Sequence, residues 1–113
     1  MARILVVDDD PFICGLVEEC LREDGHEPWC VTDPVAALAE AERFRPDLVV
    51  TDLMMPGLDG AALIAALRTQ GVDAPMLVLS AVPERAAGLP VEAVLAKPFD
   101  LDHLCAAVML ALA

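Results

Sequence analysis

Ile4-Leu5-Val6-Val7-Asp8-Asp9-Asp10-Pro11 decides how the rest of the chain is read. Ile4 to Val7 make too short a run for a buried helix. They also lack the polar–apolar alternation of a half-exposed strand, so they fit a strand covered on both faces, as in a parallel sheet. Carboxylates follow at once, and then a proline suited to the first turn of a helix.

The pattern recurs along the chain. Leu48–Val50 leads into Thr51-Asp52, and Met76–Leu79 leads into Ser80. Weaker runs lie around Pro28–Val31 and Val91–Ala96, the last leading into Lys97-Pro98. Between the runs the spacing turns helical. Phe12, Ile13, Leu16, Val17, Cys20 and Leu21 form a stripe, with Gly25 as its stop. Asp33-Pro34 opens a second helix through Val35, Leu38 and Ala41 to about Phe44. Asp59 opens a third through Ala62, Leu63, Ala66 and Leu67, ending near Gly71. Asp100 opens the last, with Leu101, Leu104, Cys105, Val108 and Leu112 on one face. Strict β-α alternation predicts an α/β fold: a doubly wound, five-stranded parallel sheet with right-handed crossovers. Pro83, Gly88 and Pro90 interrupt the segment between Ser80 and Val91, so the fourth helix is expected to be shortened or missing.

Composition narrows the function. The 113 residues predict one domain, 1–113, with no output domain. Hydrophobic residues make up 58% of the chain and mean hydropathy is +0.59, yet 19 Asp and Glu against 7 Lys and Arg give a net charge of −12. That charge repels phosphate backbones and argues against direct nucleic-acid binding. The longest apolar run, Leu104–Ala113, is too short to span a bilayer, and the acidic N-terminal segment is no signal peptide. A cytoplasmic protein without membrane contact is expected. Cys14, Cys20, Cys30 and Cys105 show no Cys-x-x-Cys spacing and read as free core thiols, without metal or disulfide. His26 and His103 read as surface or boundary residues. Leu104–Ala113 is apolar nearly all round, which points to a partner, a self-association surface such as a homodimer, or a cut linker.

In an open parallel sheet, ligands bind beyond the carboxyl ends of the strands. Asp8, Asp9 and Asp10 follow the first strand, Asp52 the third, Ser80 the fourth, and Lys97, the only lysine, the fifth. Two carboxylates 4 Å apart repel by about 1 kcal/mol in water and about 4 kcal/mol at an effective dielectric of 20, so the cluster calls for a cation. Carboxylate and carbonyl oxygens favour a hard ion, Mg²⁺ or Mn²⁺. Lys97 adds an ammonium and Ser80 a hydroxyl donor. A metal, an ammonium and a hydroxyl around one carboxylate match what a transferring phosphoryl group demands, with Asp52 as nucleophile. Asp10, before Pro11, reads as a helix cap.

These residues resemble the receiver domain of bacterial two-component response regulators. Ile4–Pro11 looks like the family's acidic first strand end. Val49-Val50-Thr51-Asp52-Leu53-Met54-Met55-Pro56-Gly57-Leu58-Asp59-Gly60 looks like its phosphoacceptor strand and loop. Leu77–Ala81 resembles the hydroxyl-bearing strand, and Ala96-Lys97-Pro98-Phe99 the lysine–proline turn. The resemblance covers the whole chain and implies a flavodoxin-like receiver fold and a signalling phosphoacceptor rather than an enzyme. It implies that Asp52 takes a phosphoryl group from a histidine kinase, a phosphotransfer protein or a small phosphodonor. Asp8, Asp9, Asp52 and the backbone carbonyl of Met54 would hold the metal. Ser80 and Lys97 would bind phosphoryl oxygens, and the Lys97–Pro98 peptide would be cis. A downstream protein target, not named by the sequence, would read the change in surface.

Two departures stand out. Val94 occupies the place where the family usually carries Tyr or Phe as a switch, and the interval from Ser80 to Lys97 is several residues shorter than usual. An intact phosphoacceptor with an atypical readout is expected. One competing reading is a phosphorylation-independent interaction module on a receiver fold. A remote one is a haloacid-dehalogenase-like phosphatase using Asp8 and Asp10, which leaves Asp52 and its loop unexplained.

Overall fold

Each apolar run forms a strand in the computed structural model, which describes residues 2–55 and 59–113. Pro56, Gly57 and Leu58 of the loop quoted above lie outside the described residues. The strands are β1 Arg3–Val7, β2 Glu27–Val31, β3 Leu48–Asp52, β4 Met76–Ser80 and β5 Ala93–Ala96. They are all parallel, in the order β2-β1-β3-β4-β5. The helices are α1 Pro11–Glu23, α2 Pro34–Phe44, α3 Gly60–Thr69 and α4 Leu101–Leu112.

Strand alternation builds two cores from one sheet. Leu5, Val7, Val49 and Val78 face α2 and α3, packing against Ala37, Ala41, Leu63, Ile64 and Leu67. Ile4, Val6, Val50, Leu77 and Leu79 face α1 and α4, packing against Val17, Leu21, Leu104 and Val108. A fully buried side chain of this kind stabilises by roughly 1.5–3 kcal/mol, which is why the runs are apolar without a break.

Aspartate starts every helix. Asp10, Asp33, Asp59 and Asp100 each accept a backbone N–H, from Phe12 at 2.9 Å, Val35 at 3.0 Å, Ala62 at 2.8 Å and Asp102 at 2.7 Å. Each cap contributes about 1 kcal/mol. Gly25 stands just past α1 with φ of 86°, the left-handed conformation glycine adopts freely. Arg45 does the same work after α2 at φ 52°, without glycine.

Between β4 and β5 only a 3₁₀ turn, Pro83–Ala86, stands where a fourth crossover helix would lie. The expected shortening holds, and it has a consequence for β5. Ala93 and Leu95 pack into the α1–α4 core, while Val94, 37% exposed, and Ala96 face outward. The reading of this run as covered on both faces is corrected: with no helix over it, the outer face of β5 stays open. Arg68 of α3 ties the region down. Its Nη1 donates to the carbonyls of Val72 (3.1 Å) and Ala74 (2.8 Å), and its Nη2 to Pro90 (3.2 Å). It also pairs with Glu92 at 3.8 Å, and Glu92 accepts the backbone N–H of Met76 at 2.7 Å.

The thiols need a second correction. Cys14 and Cys30 are joined by a disulfide with Cα atoms 5.9 Å apart, linking α1 to β2. Cys14 is an inward residue of α1, and Cys30 lies beside Val6 in the register, on the face that α1 covers. A separation of 16 residues carries no sign of that meeting. Cys20 and Cys105 are free and half-buried. In α4, Leu104 and Val108 are buried, while Met109 and Leu110 are 66% and 77% exposed. Among the described residues no helix is long and apolar enough to cross a membrane.

Candidate functional site

Parallel strands all end on one edge, and four of these ends carry polar groups. Asp8, directly after β1, is buried. Its N–H donates to the Val31 carbonyl at 3.2 Å, and its Oδ1 accepts from Asp10 N–H at 2.9 Å. Asp52, the last residue of β3, is buried as well, and its Oδ1 lies 3.4 Å from the N–H of Met54. Asp9 is exposed beside them. Asp8, Asp9 and Asp52 each place a carboxylate oxygen within 4.8 Å of the others. Asp10 stays outside this group and caps α1.

Lys97 reaches the acids from the far side of the sheet. Its backbone N–H donates to the Ser80 carbonyl at 2.8 Å, and its peptide bond to Pro98 is cis. From there the side chain crosses the ends of β4 and β3. Nζ lies 3.2 Å from Asp8 Oδ2 and 3.3 Å from Asp52 Oδ2, bridging the two buried carboxylates. Ser80 is fully buried, but its Oγ accepts the N–H of Val82 at 3.0 Å rather than meeting Asp52.

The charges set the electrostatics. Burial pushes the Asp52 carboxyl above its ordinary range, with Lys97 opposing and Asp8 adding to the rise. Burial would by itself lower the Lys97 ammonium, but Asp8 and Asp52 together outweigh it and hold it above its usual value. One ammonium thus faces three carboxylates, leaving the cluster short of positive charge. The donors are hard oxygens, which fit Mg²⁺ or Mn²⁺.

Sequence reasoning passed over two supporting residues. Gly60 starts α3 against the strand that bears Asp52. A Cβ there would lie 2.5 Å from Leu53 Cα and 2.7 Å from the Asp52 carbonyl oxygen. Its signal was a glycine directly after a helix cap. Thr51 is buried and donates its hydroxyl to the Asp52 carbonyl at 2.9 Å. Met54 is 45% exposed beside the site, whereas Met55 packs in the core. His26 accepts the Ala2 N–H at 3.2 Å and His103 is exposed, both away from the acids.

A mostly apolar cleft of about 470 Å³ borders Lys97, walled by Ile13, Leu16, Phe99 and Leu101. A larger cleft of about 960 Å³ lies near Ala2, His26 and Met109, remote from the acids and without their chemistry.

Known proteins carry the same arrangement of elements. The family described as the response regulator receiver domain matches residues 4–109. The transcriptional regulatory protein PrrA of Mycobacterium tuberculosis is 44% identical over 111 residues, covering 94% of this chain and 48% of its own length. The chain thus spans about half the length of the curated relatives it matches. The chemotaxis protein CheY4 of Vibrio cholerae superposes with a TM-score of 0.91 at 30% identity, covering 98% of both chains. The receiver domain of a sensor histidine kinase from Pseudomonas aeruginosa PAO1, with a magnesium ion coordinated in its active-site cleft, superposes at 0.88 and 29% identity, covering 98% of this chain and 97% of its own. With its acidic edge, its bridging lysine and this span of matching sequence, the chain belongs to the response regulator receiver domain family.

Proposed function

We propose that this domain is a phosphoacceptor in a two-component relay, with Asp52 as the acceptor. One observation carries the reading: Lys97 Nζ stands within 3.3 Å of both Asp8 and Asp52, with Asp9 beside them. An Asp52 oxygen attacks the phosphorus of a phosphohistidine, the P–N bond breaks, and an acyl phosphate forms as the imidazole leaves. Asp8, Asp9, Asp52 and the backbone carbonyl of Met54 would hold Mg²⁺ or Mn²⁺, which supplies positive charge toward the phosphoryl oxygens. Lys97 stays with the pair of acids and meets the new charge on the phosphoryl group. Ser80 gives up its bond to Val82 N–H and donates its hydroxyl to a phosphoryl oxygen.

The apolar cleft beside Lys97, with Phe12 exposed on the adjoining helix, suits a protein donor such as a histidine kinase or phosphotransfer protein. The names of the mycobacterial relatives support an output in transcription control. A domain with a net charge of −12 would exert it through protein contacts rather than by touching DNA.

Incubation with Mg²⁺ and acetyl phosphate, followed by intact-mass analysis, tests the reading. One phosphoryl addition is expected, absent in Asp52→Ala. A second reading, an interaction module that works without phosphorylation, draws on the open face at Val94 and the missing crossover helix. No addition, even with a cognate kinase, would favour the module.

A further inference from the structure

We propose that Cys14 and Cys30 form a reversible thiol–disulfide site that tunes the metal affinity of the neighbouring acids. The two sulfurs are already paired, and the segments they join hold both backbone groups of Asp8. Cys14 Sγ lies 3.6 Å from the Asp8 carbonyl oxygen. The Asp8 N–H donates to Val31, the residue after Cys30, at 3.2 Å. Cys14 also donates its backbone N–H to the Asp10 carbonyl at 3.0 Å, at the start of α1. The link therefore clamps the turn carrying Asp8, Asp9 and Asp10 between α1 and β2.

Access decides which sulfur reacts. Cys14 is 2% exposed and Cys30 is half-buried on the edge strand, so a small disulfide meets Cys30 first. With oxidised glutathione as oxidant, the Cys30 sulfur attacks one glutathione sulfur and releases the first glutathione thiol. The Cys14 sulfur then attacks Cys30, the mixed disulfide breaks, and the second glutathione thiol leaves. Two electrons and two thiol hydrogens pass from the protein to glutathione, and the reverse reaction reduces the pair. In the reduced form the Cys14 thiol can donate to the Asp8 carbonyl, so the backbone bonding of Asp8 changes with redox state. Cys105 serves as an internal reference thiol. Burial, with help from Cys20 and Asp24, pushes the Cys105 thiol up to about 12, leaving little reactive thiolate.

The thiol chemistry stands apart from the phosphoacceptor reading; the metal arm rests on it. The full chain is equilibrated with reduced or oxidised glutathione, quenched in acid, alkylated under denaturing conditions and weighed. Two labels are expected after oxidation and four after reduction, with three in both for Cys30→Ser. Calorimetric titration with Mn²⁺ is expected to show roughly two- to tenfold weaker binding in the reduced form, less than the full loss of an outer-shell partner. Cys30→Ser, which removes the link and keeps the Cys14 thiol, should match the reduced protein at either poise. Four labels under oxidising conditions overturn the site, and two labels under both conditions overturn its reversibility. Equal Mn²⁺ affinity in both redox states overturns the coupling.

Discussion

The ends of β1 and β3 and the outer face of β5 belong to one sheet but are built on opposite terms. At the first, Asp8 and Asp52 sit buried, flanked by strands on both sides and covered by helices on both faces. At the second, a 3₁₀ turn replaces a helix and Val94 faces outward. The two are joined by Lys97, which leaves the end of β5 and reaches Asp8 at the end of β1. Precision is concentrated where charge is buried. Charges in low dielectric must be held rigidly, while the flank that carries only a lysine backbone can be trimmed.

Four measurements test this contrast. The largest effect is expected in the covered part: Leu5→Ala, fully buried between β1 and α2, should lose about 2–5 kcal/mol in urea unfolding. A smaller loss would mean that this core collapses around the cavity.

Arg68→Ala tests the thin flank. It removes the donors to Val72, Ala74 and Pro90 and the partner of Glu92, and should cost about 1.5–3 kcal/mol. Amide exchange should rise first between Pro83 and Ala96. Uniform exchange across the sheet would show that Arg68 does not specifically hold this region.

Asp52→Asn should stabilise the protein by about 0.5–2 kcal/mol at neutral pH, because a buried carboxylate near Asp8 is removed. The sign follows from linkage. A carboxyl raised in the folded state favours the protonated form, so its contribution is present in acid and is lost as pH rises through the raised value. The gain from Asp52→Asn should therefore be widest at neutral pH and shrink in acid. Mg²⁺ should narrow it by stabilising the parent chain more. Melting curves across pH, with and without Mg²⁺, check this; a gain that persists in acid would contradict it.

Val94→Ala should change stability by no more than about 0.5 kcal/mol, since the side chain is already 37% exposed. A larger loss would reveal cover on that face.

Much of this layout was legible in the residues. The runs at Ile4–Val7, Leu48–Val50 and Met76–Leu79 named their strands because a strand buried on both faces is apolar along its length and admits polar side chains, such as Thr51, Asp52 and Ser80, at its carboxyl end. The helix starts were legible because Asp satisfies backbone N–H groups that a helix leaves free, and it does so from its own short side chain. The gap between Ser80 and Val91 was legible because Gly and Pro act locally.

Other features were not. The outward turn of Val94 depends on what covers β5, and the run itself reads the same either way. The meeting of Cys14 with Cys30 depends on which face of β2 lies under α1, and Gly60 depends on how closely α3 approaches the Asp52 strand. Ser80 was expected beside the acids from its strand end, while its hydroxyl oxygen accepts the N–H of Val82.

The alternation of strands and helices, the polar residues at the strand ends and the single lysine among them can be read from the residues alone, because they follow from short-range periodicity and capping. Packing alone settled that Lys97 reaches past the end of β4 to bridge Asp52 and Asp8, that one flank lies open, and that two distant cysteines pair. Those depend on distances between segments far apart in the chain, which packing sets and local propensity does not.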